Sequence, residues 1–244
     1  MVIRTGIVLP TFRKSPDEAL EVAAAAFGAG VDGVFCYDHL WPMGQPERPA
    51  MAPFPILATI ASTNAAEAKE QGGPFIGTLV ARVGLVPIGV LASQFVALEG
   101  MVPGRVIAAL GTGDRLSEAE NRAYGIPYPS AAERRADMVT LARTLRTEGL
   151  AVWLAGGPKA RDIEAKEAGV AMNLWDAEPA LVTACVDQPD AVEVTWAGPP
   201  PESEEGLHQT VREVAAAGAT WAVFGWAVDP AQLVAAAEAS SLGR

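Results

Sequence analysis

Two cysteines, two histidines and four lysines are all that the 244 residues contain of these types. Each shortage closes off a chemistry. Cys36 and Cys185 stand far apart in apolar runs, so neither a disulfide framework nor a thiolate metal site follows, and both read as buried reduced thiols. His39 and His208 are distant and belong to no carboxylate–histidine cluster, which argues against a metal hydrolase. Lys14, Lys69, Lys159 and Lys166 all fall outside the apolar strand segments, so a Schiff-base aldolase finds no support. No Gly-x-Ser-x-Gly elbow occurs, and the first strand lacks the Gly-x-Gly-x-x-Gly of a dinucleotide fold. Positive charge is scarce as well: 18 Lys and Arg against 29 Asp and Glu leave a net charge of -11. That balance disfavours nucleic acid and anionic membrane surfaces. No apolar run is long enough to span a bilayer, and the N-terminal segment lacks the apolar stretch of a secretion signal. The expectation is a cytoplasmic protein acting on a small molecule.

What the sequence does have is an alternation. Half of its residues are hydrophobic, and they recur as short β-branched runs, each followed by an Ala-rich helical run. Strands are expected at 4–10, 33–39, 75–81, 105–113, 151–157, 169–175, 191–197 and 220–226. Helices are expected at about 19–28, 55–66, 92–100, 130–148, 159–168, 180–186 and 207–217, and from Asp229, with Pro230 at its first position, to the end. Ser15 with Glu18, and Ser130 with Glu133, each have capping-box spacing. Eight strand–helix units in this length, as one domain over 1–244, match a (β/α)8 TIM barrel of minimal length. An open doubly wound sheet is the competing arrangement.

Active sites of such barrels lie at the carboxyl ends of the strands. That rule selects Asp38 and His39 after strand two, and Thr78, Leu79 and Val80 on strand three. It adds Thr112, Gly113 and Asp114 after strand four, and Gly156 and Gly157 after strand five. Asn173 and Trp175 come from strand six, Trp196 and Trp226 from strands seven and eight. His39 suits proton transfer near neutral pH, or it is a hydrogen-bonding partner tied to Asp38. Asp114 is a general acid whose pKa burial raises, or it is a helix cap. Gly156-Gly157-Pro158 before a helix, with Lys159 and Arg161, suits an anion. Six tryptophans are many for this length. Trp41, Trp175, Trp196 and Trp226 fall at strand ends or just beyond, where they either wall a planar ring or fill core.

Three stretches resemble the bacterial luciferase-like monooxygenase superfamily. They are Gly30-Val-Asp-Gly-Val-Phe-Cys-Tyr-Asp-His-Leu-Trp-Pro42, then Ile76-Gly-Thr-Leu-Val80 with Gly104-Arg-Val-Ile-Ala-Ala-Leu-Gly-Thr-Gly-Asp114, and Glu133-Arg134 with Val152-Trp-Leu-Ala-Gly-Gly157. The Asp-His pair is most similar to the branch using the deazaflavin coenzyme F-420. The resemblance implies an oxidoreductase that uses F-420, or FMN, for hydride transfer or monooxygenation of a small organic substrate. It implies His39 and Asp114 as proton carriers. Asp38, Thr78, Leu79, Val80, Thr112, Gly113, Ser117, Gly156, Gly157 and Trp175 would line the cofactor, with Leu79-Val80 at a bulge that often carries a non-proline cis peptide. Trp41, Met43 and Trp226 would shape the substrate pocket. No metal is implied, and a homodimer is a possible assembly. Here Ser117 stands where the family has Asn, Met43 where sugar-phosphate dehydrogenases have Trp, and Glu148-Gly149 runs straight into strand five. A cofactor-binding barrel or inactive partner subunit without turnover is the alternative. Substrate, F-420 against FMN, and reductase against monooxygenase stay open at this point.

Overall fold

The computed structural model describes residues 2–42, 44–71, 73–156 and 158–242, without the side chains of 65–71, 158–161 and 242. Eight strands form a closed, all-parallel barrel in sequence order. They are β1 (Arg4–Val8), β2 (Gly33–Cys36), β3 (Phe75–Arg82), β4 (Val106–Gly111), β5 (Ala151–Ala155), β6 (Ala171–Trp175), β7 (Val194–Gly198) and β8 (Trp221–Gly225). β8 closes on β1 with Arg4 opposite Trp221 and Val8 opposite Gly225. The helices are α1 (Asp17–Ala29), α2 (Pro53–Gln71), α3 (Ile88–Met101), α4 (Ser117–Ala123), α5 (Ala131–Thr147), α6 (Pro158–Ala168), α7 (Pro179–Val186), α8 (Glu204–Ala216) and α9 (Pro230–Leu242). The expected barrel is therefore present. β1, β2, β4, β5 and β8 stop short of the expected ends because their last residues turn outward into loops, whereas β3, β6 and β7 reach or pass theirs.

Two differences from the sequence reading concern helices. α4 lies between the strand expected to end at Gly113 and the helix expected from Ser130, where the sequence predicts no element, because seven residues are too short for a readable period. The capping box expected at Ser15 does not form: the Glu18 carboxylate is held by Arg13 at 2.5 and 3.1 Å, and Ser15 bonds Asp17 instead. The box at Ser130 and Glu133 does form.

Alternation along the strands sorts side chains into two layers. One face, with Ile7, Val34, Ile76, Leu110 and Leu154, packs under the helices. The other fills the barrel with Val8, Phe35, Ile107, Ala109, Trp153, Trp221 and Val223. Trp221 meets Phe35, Phe75 and Trp153 edge-on at 5.3–6.0 Å. At the amino ends of the strands the Arg4 and Arg105 guanidiniums lie over Phe75, 5.4 and 5.0 Å from its centroid. That end of the barrel is thus a solid floor. Gly77 is required where β3 meets β4, since a Cβ there would sit 2.2 Å from the Ile107 carbonyl oxygen.

Candidate active site

At the opposite end the inward positions become small. The last residues facing inward on β4, β5, β7 and β8 are Gly111, Ala155, Ala197 and Gly225. Above the aromatic floor the strands thus end in small residues, because the inward positions of the pleat pass from bulky side chains to glycine and alanine. β3 bulges at its carboxyl end: its register against β4 shifts between Thr78 and Ala81, and the Leu79–Val80 peptide is cis. Val80 sits against Gly111, where a Cβ would come within 2.5 Å of Val80 Cγ2. The bulge expected at Leu79 and Val80 is therefore present, with its cis bond.

Beside these strand ends stands a cluster of charge. His39 Nδ1 lies 2.8 Å from Glu120 Oε1, and the Leu40 N–H donates to Glu120 Oε2 at 2.7 Å. Arg82 Nη2 is 3.3 Å from the same Oε2. The Asp38 carboxylate accepts from the Arg82 backbone N–H at 3.0 Å. Glu120 and Arg82 are buried, while a quarter of the His39 side chain is exposed (24%). Burial acts to raise the Glu120 carboxyl, but His39, the Leu40 N–H and Arg82 outweigh it and hold the group below its usual range. Asp38 goes the other way: burial pushes it up, against the pull of Arg82. His39 is thus tied to Glu120, not to Asp38 as the structural alternative supposed. Phe12, from the β1–α1 loop, stacks on Tyr37 at 5.6 Å and leans on His39 at 6.5 Å. Its neighbour Arg13 lies over Trp226, 5.6 Å from the ring centroid.

Asp114 departs from the role of a buried acid. Its Oδ1 accepts from the N–H groups of Leu116 and Ser117 at 2.8 and 3.0 Å and from the Ser117 hydroxyl at 3.2 Å. Partial burial raises this carboxyl, but these donors prevail and its pKa is lowered rather than raised. Asp114 is exposed and caps the turn into α4. Ser117, expected to face the cofactor, is buried with its hydroxyl engaged in that turn. Thr78 is buried with its hydroxyl on the Ala109 carbonyl, which ties β3 to β4. Gly113 has a left-handed backbone (φ 69°), and a Cβ there would press within 3.0 Å of Arg82 and Ser117. The Thr112 carbonyl accepts from Arg134 Nε at 2.8 Å.

Of the tryptophans, Trp175 is half-exposed at the end of β6, Trp226 is partly buried beneath Arg13, and Trp41 is buried against Tyr124. Trp196 faces the helices, donates to the Ala177 carbonyl and packs on Phe224, so it is core and lines no mouth. Gly156 lies at the end of β5; Met43, Gly157 and the side chains of Lys159 and Arg161 fall outside the described residues. Sequence reasoning passed over Glu120, Arg82, Phe12 and Tyr37. Glu120 carried no local signal: α4 is polar and holds a second acid, Glu118. Asn173 was seen, but not that its Nδ2 would bond Thr195 inside the barrel and leave Oδ1 without a partner.

No established protein-family model matches the chain. Among curated proteins, an F-420-dependent glucose-6-phosphate dehydrogenase of Nakamurella multipartita is 33% identical over 137 residues, covering 54% of this chain and 36% of that protein. The match thus spans little more than a third of that relative's length. Among solved structures, an F-420-dependent secondary alcohol dehydrogenase in complex with an F-420-acetone adduct superposes with a TM-score of 0.67 at 17% identity, over 92% of this chain and 93% of that one. The coenzyme F-420-dependent tetrahydromethanopterin reductase of Methanopyrus kandleri gives 0.67 at 11% identity, over 97% and 98%. At those identities the structures speak for the fold. The resemblance to the luciferase-like, F-420-dependent branch drawn from the motifs holds in these comparisons.

Proposed function

We propose that this protein is an oxidoreductase that binds coenzyme F-420 at the carboxyl ends of its strands and transfers hydride between it and a small organic substrate. The observation that carries the reading is His39, partly exposed at the carboxyl ends of the strands and held from behind by a buried carboxylate. The names of the relatives support F-420 over FMN, and with it hydride transfer over oxygen chemistry.

The residues present suit a flat deazaflavin. The small strand-end residues Ala155 and Gly225 would sit under a ring, and Leu79-Val80, packed on Gly111, would back its centre. Thr112, Gly113 and Gly156 would hold the remainder, Trp175 would border it, and Asp38 would act through the Arg82 backbone. The bound coenzyme supplies the hydride acceptor or donor; the protein supplies orientation, water exclusion and proton handling. His39 would hold or release the substrate proton. Trp41, Trp226 and Phe12 would bound the substrate, and Asp114 would shape the turn rather than move protons. The order is one of positioning first, proton transfer second.

A second reading, a coenzyme-holding barrel without turnover, gains from Asp114 being committed as a cap, which leaves one proton carrier. Titration with oxidised F-420 and separately with FMN, followed by tryptophan quenching, tests the first point. Tight F-420 and weak FMN binding is expected; binding of neither removes the reading. Steady-state reduction of F-420 with a panel of small alcohols tests the second. Turnover that falls by about 10²-fold or more in His39→Ala is expected for a general acid–base. Binding without turnover on every substrate would favour the second reading.

A further inference from the structure

We propose that Glu120 is a positioning residue that fixes which ring nitrogen of His39 carries the proton, leaving Nε2 as the acceptor that faces substrate. The inference rests on the proposed function for its catalytic meaning, but its structural content stands alone.

The chain spends an entire element on this one carboxylate. α4 interrupts the β4–α5 connection for seven residues. It is pinned at three places. Asp114 caps its start through Leu116 and Ser117. Asn121 Nδ2 donates to the carbonyls of Gly84 and Pro127, both at 3.0 Å. Arg82 Nη1 reaches the Ser117 carbonyl at 3.3 Å. Out of this fixed segment Glu120 projects inward and grips two points of one turn: the His39 side chain at 2.8 Å and the next backbone N–H, that of Leu40, at 2.7 Å. Two contacts from the two oxygens fix the carboxylate plane, and the Leu40 bond prevents its rotation. Arg82, buried 3.3 Å away, balances its charge.

An ionised carboxylate has only acceptors. Its partner nitrogen must therefore donate, so neutral His39 carries its proton on Nδ1 and presents a bare lone pair at Nε2. A free neutral imidazole in water prefers the opposite arrangement, so the clamp selects the minority form. Among the described residues Nε2 has no hydrogen-bond partner, and it is absent from the buried unpaired atoms. It is thus open to a ligand. In this state Nε2 can take the proton of a substrate hydroxyl: the O–H bond breaks, an N–H bond forms, and the imidazolium produced lies against the Glu120 carboxylate. The hydride leaving the same substrate goes to the deazaflavin of the proposed function. The arrangement suits oxidation of an alcohol, with the reverse for reduction of a carbonyl.

The chain's two histidines make the test direct. Nitrogen-15 spectra of histidine-labelled protein without coenzyme, at about pH 8.5 where an ordinary imidazole is neutral, read the tautomer, and a His208→Asn sample assigns the two rings. Nδ1–H in the unsubstituted protein is expected, with a change to mainly Nε2–H in Glu120→Ala. A ring already Nε2–H in the unsubstituted protein overturns the proposal, as does a tautomer unchanged in the variant. The first measurement needs no variant, so it decides even where Glu120→Ala fails to fold. In turnover, the variant should lose about 10²- to 10⁴-fold in kcat, the range for a misoriented or wrongly protonated histidine. F-420 affinity should change by no more than about threefold, because kcat alone falls when only the reacting state is affected. A swapped tautomer with kcat intact would overturn the positioning role. Failure of F-420 to bind while Nδ1–H persists would remove the proposed function and leave the clamp.

Discussion

Asp114 and Glu120 sit six residues apart and show how differently two carboxylates of one segment can be used. Asp114 is exposed and spends its oxygens on the Leu116 and Ser117 donors; Glu120 is buried and spends its own on His39 and Leu40. Asp114→Ala should cost about 1 kcal/mol at neutral pH, the usual loss for a cap. Because the folded-state pKa of Asp114 is lowered, its ionised form stabilises the fold above the ordinary carboxylate value, and that contribution is lost as pH falls through the depressed one. Urea midpoints of the two proteins should accordingly differ at about pH 7 and draw together as acid protonates the carboxylate. A gap that persists in acid would mean that the carboxylate does not act as a cap. From the sequence Asp114 was visible and its capping role was one of two readings. Glu120 was invisible in its role because the partner lies 81 residues away on a different strand end. Local spacing carries no record of such a pair.

At the scale of elements, the connection from Thr112 to Ser130 behaves as one built unit. Arg134 of α5 is its fastener: Nε holds the Thr112 carbonyl, Nη1 holds the Pro129 carbonyl, and the guanidinium lies over Tyr128 at 3.9 Å. Tyr128 in turn bonds the Asp114 carbonyl. Arg134→Met keeps much of the packing but strands two carbonyls. It should destabilise the protein by about 1–3 kcal/mol, the cost of buried groups left unpaired. Amide exchange within α4 should speed up more than exchange in β4 or β5. Equal acceleration throughout would show that the arginine supports the whole barrel rather than this segment. Strands and most helices were legible because their periods repeat over enough residues. α4 was not, since seven residues give barely two turns. The Ser15 box failed for a related reason: capping spacing is local, and Arg13 competed for Glu18 through a contact that spacing does not encode.

For the whole molecule, charge sets the conditions of binding. The loops that follow β6, β7 and β8 contain Asp176, Glu178, Glu202 and Asp229 and no Lys or Arg, and α8 opens on Glu204 and Glu205, in a chain of net charge -11. Under the proposed function, an anionic coenzyme would approach against a repulsive field. Salt screens such a field, with a Debye length that shrinks from about 20–30 Å near 0.01–0.02 M to about 8 Å near 0.15 M. F-420 affinity should rise as sodium chloride is raised over that range, opposite to the behaviour of a basic pocket. A fall in affinity would place the local cations, Arg13, Arg82 and Arg115 on the β1–β4 side, in control of the encounter. Barrel closure was legible as the favoured arrangement from eight repeated strand–helix units in this length, the count at which such a parallel sheet closes on itself. The polarity of the mouth was legible only once the strand ends were placed.

The floor has a consequence for traffic. Trp221, Phe75, Arg4 and Arg105 close the barrel interior at its amino end, so a ligand of the proposed site can enter and leave only from the carboxyl end. Whatever lies flat on the bottom must arrive before anything set above it and must depart after. A one-mouthed vessel imposes a queue: the deeper guest is first in and last out, and the shallower one turns over many times or once at its discretion. Sequence of arrival is then dictated by depth, with no moving part required to enforce it.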